Sequence, residues 1–127
     1  MSLFDAFSYQ GKRVLVVGGA TGMGNATARL ALDAGADVVV MDHAPCDLAD
    51  VTAIRLNLAD KASIDAAVAE CGGTVDALFA CAGVADGPGI ERINFIGHRH
   101  LIDRLRDNAM LPRGSAIGFI SSAAGLA

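Results

Sequence analysis

Two rhythms of hydrophobic and polar positions alternate along this 127-residue chain. Short, largely apolar runs make up the first: Lys12–Val17, Asp37–Asp42, Val51–Leu56, Val75–Ala80 and Ser115–Ile120. Their brevity, β-branching and glycine boundaries predict five buried strands. Between them apolar residues recur every three or four positions, the period of a helix with one buried face. Met23, Ala26, Thr27, Leu30, Ala31 and Ala34 make the first such stripe, mostly alanine and closed by Gly35. Asp60 offers an N-cap to a second helix carrying Ile64, Ala67, Val68 and Cys71, closed by Gly72 and Gly73. A third, long helix spans about 89–108, with Ile93, Gly97, Leu101 and Leu105 facing the sheet; Pro112 and Gly114 follow it. Apolar strands alternating with helices predict an α/β fold, a doubly wound parallel sheet covered on both faces. There is no internal repeat, low-complexity tract or linker, so residues 1–127 read as one domain. The link between the second and third strands is too short for a full helix.

The junction after the first strand changes the picture from fold to chemistry. Val14-Leu-Val-Val-Gly-Gly-Ala-Thr-Gly-Met-Gly24 places four glycines within seven positions. A strand, a glycine-rich turn and a helix form an anion site, because first-turn N–H groups and the helix dipole both favour negative charge. Gly18 permits the tight exit, Gly22 lets a pyrophosphate approach the backbone, and Gly24 lets the helix pack close. Asp42 ends the second strand eighteen positions after Gly24. Dinucleotide-binding folds place an acid about 20 residues on to accept from the adenosine ribose.

The spacing is G-x-x-x-G-x-G, and with it the chain resembles the short-chain dehydrogenase/reductase family. The loop Val17–Gly24, with Thr21 and Met23 between its glycines, is similar to that family's cofactor loop. Cys81-Ala82-Gly83 resembles its Asn-Asn-Ala-Gly motif, with Ala80 and Cys81 in place of the asparagines. Asn57-Leu58 stands where the family carries an Asp-Val or Asp-Leu pair beside the adenine. Ile93-Asn94-Phe-Ile-Gly97 resembles the helix that bears its asparagine, and Gly118–Gly125 the loop that presents its catalytic serine, here Ser122. The short second crossover and the Cys-Ala-Gly variant look most like bacterial 3α-hydroxysteroid dehydrogenase/carbonyl reductases. The resemblance implies a Rossmann sheet with strand order 3-2-1-4-5. It also implies hydride transfer between a nicotinamide and an alcohol or carbonyl carbon. Ser122 would then steady the substrate oxygen, and Asn94 would hold a water in a proton relay.

The family's proton donor is a tyrosine whose pKa is lowered by a lysine four residues later. The only tyrosine here is Tyr9, and no Tyr-x-x-x-Lys occurs. The chain is therefore expected to be the N-terminal part of a longer enzyme. A non-catalytic dinucleotide-binding module is the alternative, and a methyltransferase, with its own glycine loop and acid, is a third reading.

Composition narrows the partners. With 14 acidic against 10 basic residues the net charge is −4, which disfavours nucleic acid. Arg99, Arg104 and Arg106 lie among Asp103 and Asp107 and read as a solvated helix face. The 53% hydrophobic content is rich for a small domain, yet no apolar run approaches the ~20 residues of a membrane span. Met1-Ser-Leu-Phe-Asp5 has no basic stretch leading into an apolar one, so a secretory signal is not expected. Cys46, Cys71 and Cys81 fit neither a disulfide framework nor a zinc site, so a cytoplasmic setting is expected. Cys46 and Cys71 read as packing, Cys81 as a cofactor-site wall, and His43, His98 and His100 as solvated or packing residues.

Asp42 favours NAD(H) over NADP(H), since it would face a 2′-phosphate with like charge. No arginine stands in the glycine loop or just after the second strand. Phe95 and Ile102, seven apart, form an outward apolar strip on the long helix, rimmed by Glu91, His98 and Arg106. The family pairs through this helix, so a homodimer or homotetramer through 89–108 is expected.

Overall fold

The computed structural model describes residues 3–122; the loop residues that follow Ser122 in the serine motif lie outside that range. After a 3-10 turn (Leu3–Phe7) the order is β1 (Arg13–Val17), α1 (Gly22–Asp33), β2 (Asp37–Asp42), β3 (Val51–Arg55) and α2 (Lys61–Cys71). Then come β4 (Ala77–Ala80), a π-helical turn (Arg92–Ile96), α3 (Gly97–Asp107) and β5 (Ala116–Phe119). The sheet has the expected order β3-β2-β1-β4-β5, and every neighbouring pair is parallel. No helix among the described residues is long and apolar enough to cross a membrane.

Alternation along the central strands divides the core into two layers. Leu15, Val17, Val39, Met41, Ile54 and Leu78 point to one face, against Ile64 and Val68 of α2 and Leu101 and Leu105 of α3. Val14, Val16, Val38 and Val40 point to the other, against Ala28 and Ala31 of α1. Val14 to Val17 are wholly buried, as a strand paired on both sides and covered on both faces must be. Predicted caps form where expected. The Asp60 carboxylate accepts from Ala62 N–H at 3.0 Å, and Gly72 leaves α2 with φ +55°. The Arg13 guanidinium donates to the carbonyls of Cys71 (2.8 Å) and Gly72, placing a cation at the negative end of α2.

Two predicted helices differ in detail. The stripe predicted for α1 is only partly its buried face: Ala31 is buried as expected, but Met23 and Leu30 are 62% and 69% exposed, and Gly24 and Ala28, outside the stripe, are buried. Close approach overrides hydrophobicity here. A Cβ on residue 24 would sit 1.9 Å from the Gly18 carbonyl oxygen, so only a glycine can face that point, and Gly24 sets the helix rotation. The long helix is helical over 90–107, close to prediction, but its 92–96 section is a π turn. Phe95 is exposed and Ile102 packs partly against the core, while His98, expected on the rim, is 5% exposed. The solvated reading of the arginines holds, with Arg104 beside Asp107 and Arg106 beside Asp103.

Candidate functional site

Parallel strands release their carboxyl ends on one side of a sheet, and a crevice opens where the strand order reverses. That point is β1, flanked by β2 and β4. Gly18 leaves β1 with φ +86°, a conformation that glycine adopts without penalty. A Cβ there would meet the Ala82 backbone nitrogen at 2.5 Å, so the β1 and β4 loops touch backbone to backbone. Thr21 is the extended N-cap of α1, and its side chain makes no cap to the first turn. That leaves the first-turn amides to another acceptor. Gly22 has φ +58° with open space around its Cβ position, and Met23 projects outward beside it.

Asp42 closes the β2 side. One carboxylate oxygen accepts from Ala20 N–H and the other from Ala44 N–H, both at 2.9 Å. The carboxylate thus ties the glycine turn to the loop after β2. Each oxygen retains a second lone pair for a hydroxyl. Asn57 follows β3, where its backbone N–H donates to Ser63 Oγ at 2.9 Å and its side-chain oxygen accepts from Ala59 N–H at 3.0 Å. Leu58 is buried beside it.

On the β4 side Cys81 N–H donates to Val17 C=O at 2.8 Å, continuing the ladder. Burial pushes the Cys81 thiol above its ordinary pKa, against a smaller lowering by a hydrogen bond with Thr27, so it is a wall residue rather than a ready thiolate. Gly83 admits Asn94, whose Oδ1 would lie 3.3 Å from a Cβ there. The three strand ends enclose one open cleft of about 500 Å³. Its floor is the glycine turn (Gly18, Thr21, Gly22, Met23, Gly24), one wall is Asp42 with Asn57 and Leu58, and the other is Cys81, Ala82 and Gly83. Thus all eleven residues singled out for cofactor contact border a single cavity. Glycine backbone lies where charge would approach, and the buried apolar side chains of Val17, Met41, Leu56 and Leu58 border the cleft.

The family description "short chain dehydrogenase" matches residues 12–127. The chain belongs to that family. It is 34% identical over 100 residues to (+)-borneol dehydrogenase 1 of Salvia officinalis, covering 65% of the chain and 36% of that protein. It is 37% identical over 89 residues to the short chain dehydrogenase andC of Emericella variicolor, covering 63% and 35%. Among solved structures it superposes on Pseudomonas aeruginosa RhlG, in an active-site complex with NADP, with a TM-score of 0.82. That likeness, at 24% identity over 98% of this chain and 58% of RhlG, is one of fold. The chain thus spans about a third of these curated relatives and somewhat over half of RhlG.

The two residues expected from the sequence to serve catalysis, Asn94 and Ser122, stand apart from the cleft lining. Asn94, on the π turn, clasps Val84 from both sides: Oδ1 accepts from Val84 N–H and Nδ2 donates to Val84 C=O, each at 2.8 Å. Ser122 follows β5 and is exposed. Sequence reasoning missed several neighbours, among them two in the cleft and one behind it. His43 and Ile93 line the cleft. Arg55 ends β3 in register with Asp42 and borders the same shallow hollow behind it. Only strand pairing brings that arginine to the acid, thirteen positions away in sequence.

Proposed function

We propose that this chain supplies the dinucleotide-binding part of an NAD(H)-dependent oxidoreductase acting on an alcohol or ketone, a hydroxysteroid or another carbonyl compound. One observation carries the reading: every residue named for cofactor contact borders one cleft at the switch point of the sheet. The uncapped first turn of α1 and the glycine backbone suit a pyrophosphate, and Asp42 suits the adenosine ribose. A bound nicotinamide would supply hydride transfer. Asn94, whose side chain holds the β4 loop, would order a water of the proton relay, and Ser122 would bond a substrate oxygen.

NADP(H) is the second reading, favoured by Arg55 beside Asp42. Asp42 lies nearer the glycine turn and is held there by Ala20, so NAD(H) stands first. Fluorescence titration with NADH, NADPH and S-adenosylmethionine tests all three readings. Saturable NADH binding, tighter than NADPH, is expected. Tighter NADPH binding would reverse the preference, and binding of S-adenosylmethionine alone would end the oxidoreductase reading.

A further inference from the structure

His98 is the one buried polar side chain among the described residues, 5% exposed. Its Nε2 lies 2.8 Å from the Ala82 carbonyl oxygen. A carbonyl oxygen only accepts, so Nε2 carries the proton. In the neutral ring Nδ1 is then a bare acceptor, and it is buried without a partner among the described residues. An orphaned buried acceptor is destabilising, and a leucine would fill similar space without it. What offsets that cost is the bond to Ala82.

Ala82 sits at a tight contact of the cleft, where its backbone nitrogen and Cα would lie 2.5 and 2.6 Å from a Cβ on Gly18. The segment around it is held residue by residue: Cys81 by β1, Ala82 by His98, Val84 by Asn94. Asn94 and His98 are four positions apart, one on the π turn and one in the first turn of α3. Gly97 between them lets the helix close on the wall, for a Cβ there would lie 2.4 Å from the Leu58 carbonyl oxygen. We propose that His98 is a positioning residue: its Nε2–H fixes the Ala82 carbonyl and so holds segment 81–83 at the wall of the dinucleotide cleft. The inference rests on the dinucleotide reading for its consequence, and on His98–Ala82 geometry for its substance.

The test compares His98→Leu, which removes the donor, with His98→Gln, whose amide N–H reaches a similar distance along the side chain. NADH affinity and amide exchange at 81–84 are measured in each. Loss of a bond that leaves a shielded carbonyl unpaired predicts about tenfold weaker NADH binding and faster exchange in His98→Leu. His98→Gln should recover to within about threefold of the parent. Parent-like affinity in His98→Leu, or equal loss in both variants, overturns the proposal. Should His98→Leu fail to fold, imidazole ¹⁵N spectra of the unmutated protein decide: protonated Nε2 with bare Nδ1 supports it, and the Nδ1–H tautomer overturns it. Absence of NADH binding by the parent would instead strike the dinucleotide reading, leaving exchange and tautomer to decide the role of His98.

Discussion

Replacing Gly24 by alanine separates local propensity from tertiary contact, because the two predict opposite signs. Gly24 lies in the first turn of α1 with an ordinary negative φ, so an alanine meets no backbone strain. By propensity alone the change should stabilise the helix by up to about 1 kcal/mol. The added Cβ would stand 1.9 Å from the Gly18 carbonyl oxygen and 2.7 Å from its carbon, where ordinary contact begins at 3.4 Å. The difference, 3.4 − 1.9 = 1.5 Å, must be met by backbone on both sides. Lifting α1 by even part of that opens a gap beneath Ala28 and Ala31, which are buried against the valines of β1 and β2. Forced overpacking of this kind costs about 2–3 kcal/mol, and subtracting the propensity gain leaves a net loss of about 1–2 kcal/mol. Urea unfolding followed by circular dichroism measures it, and the melting temperature should fall by roughly 4–8 °C. NADH binding should weaken more than tenfold, since the same contact shapes the floor of the cleft. Gly22→Ala is the comparison of cause: with φ +58° and open space at its Cβ, it should lose a similar roughly 1–2 kcal/mol, from left-handed backbone strain and not from a contact. A Gly24→Ala protein as stable as the parent or more so, with unchanged affinity, would refute the reasoning.

Asp42→Ala frees the amides of Ala20 and Ala44; we expect a loss of about 1–3 kcal/mol in urea unfolding and a narrower difference between NADH and NADPH affinity. Asn94→Ala removes both bonds to Val84, so amide exchange at Val84 and Gly83 should be faster than in the parent. Burial raises the thiol pKa values of Cys71 and Cys81 in the folded state. Their contribution to stability is therefore complete below the ordinary thiol value of about 8.5, and is lost as pH rises through the folded values. Unfolding measured between pH 7 and 10 should show that decline, and replacing both cysteines by alanine should flatten it. Phe95→Glu tests assembly better than a change at Ile102, because Phe95 is 64% exposed while Ile102 packs on the core. Light scattering should show a smaller oligomer, and an unchanged mass would remove this helix from the contact.

Much of this molecule is decided along the chain. The runs Val14–Val17 and Val38–Met41 are apolar on both sides of the strand, which only a doubly covered parallel sheet can bury, and that sheet forms. Asp60 and Gly72 mark helix ends because capping is a matter of a few consecutive residues. The glycine turn and Asp42 are legible for the same reason, since short-range backbone requirements write themselves into residue type and spacing. What the pattern could not decide are pairings between distant segments. The rotation of α1 depends on the distance from Gly24 to Gly18 across the turn, and hydrophobic periodicity, which scores each residue alone, chose Met23 and Leu30 instead. His98 reads as one more polar residue on a helix until the fold sets it under Ala82. Arg55 and Asp42 become neighbours only through the register of β2 and β3. Burial preference belongs to single residues and can be read in order, whereas a contact belongs to two, and only the folded backbone supplies the distance between them.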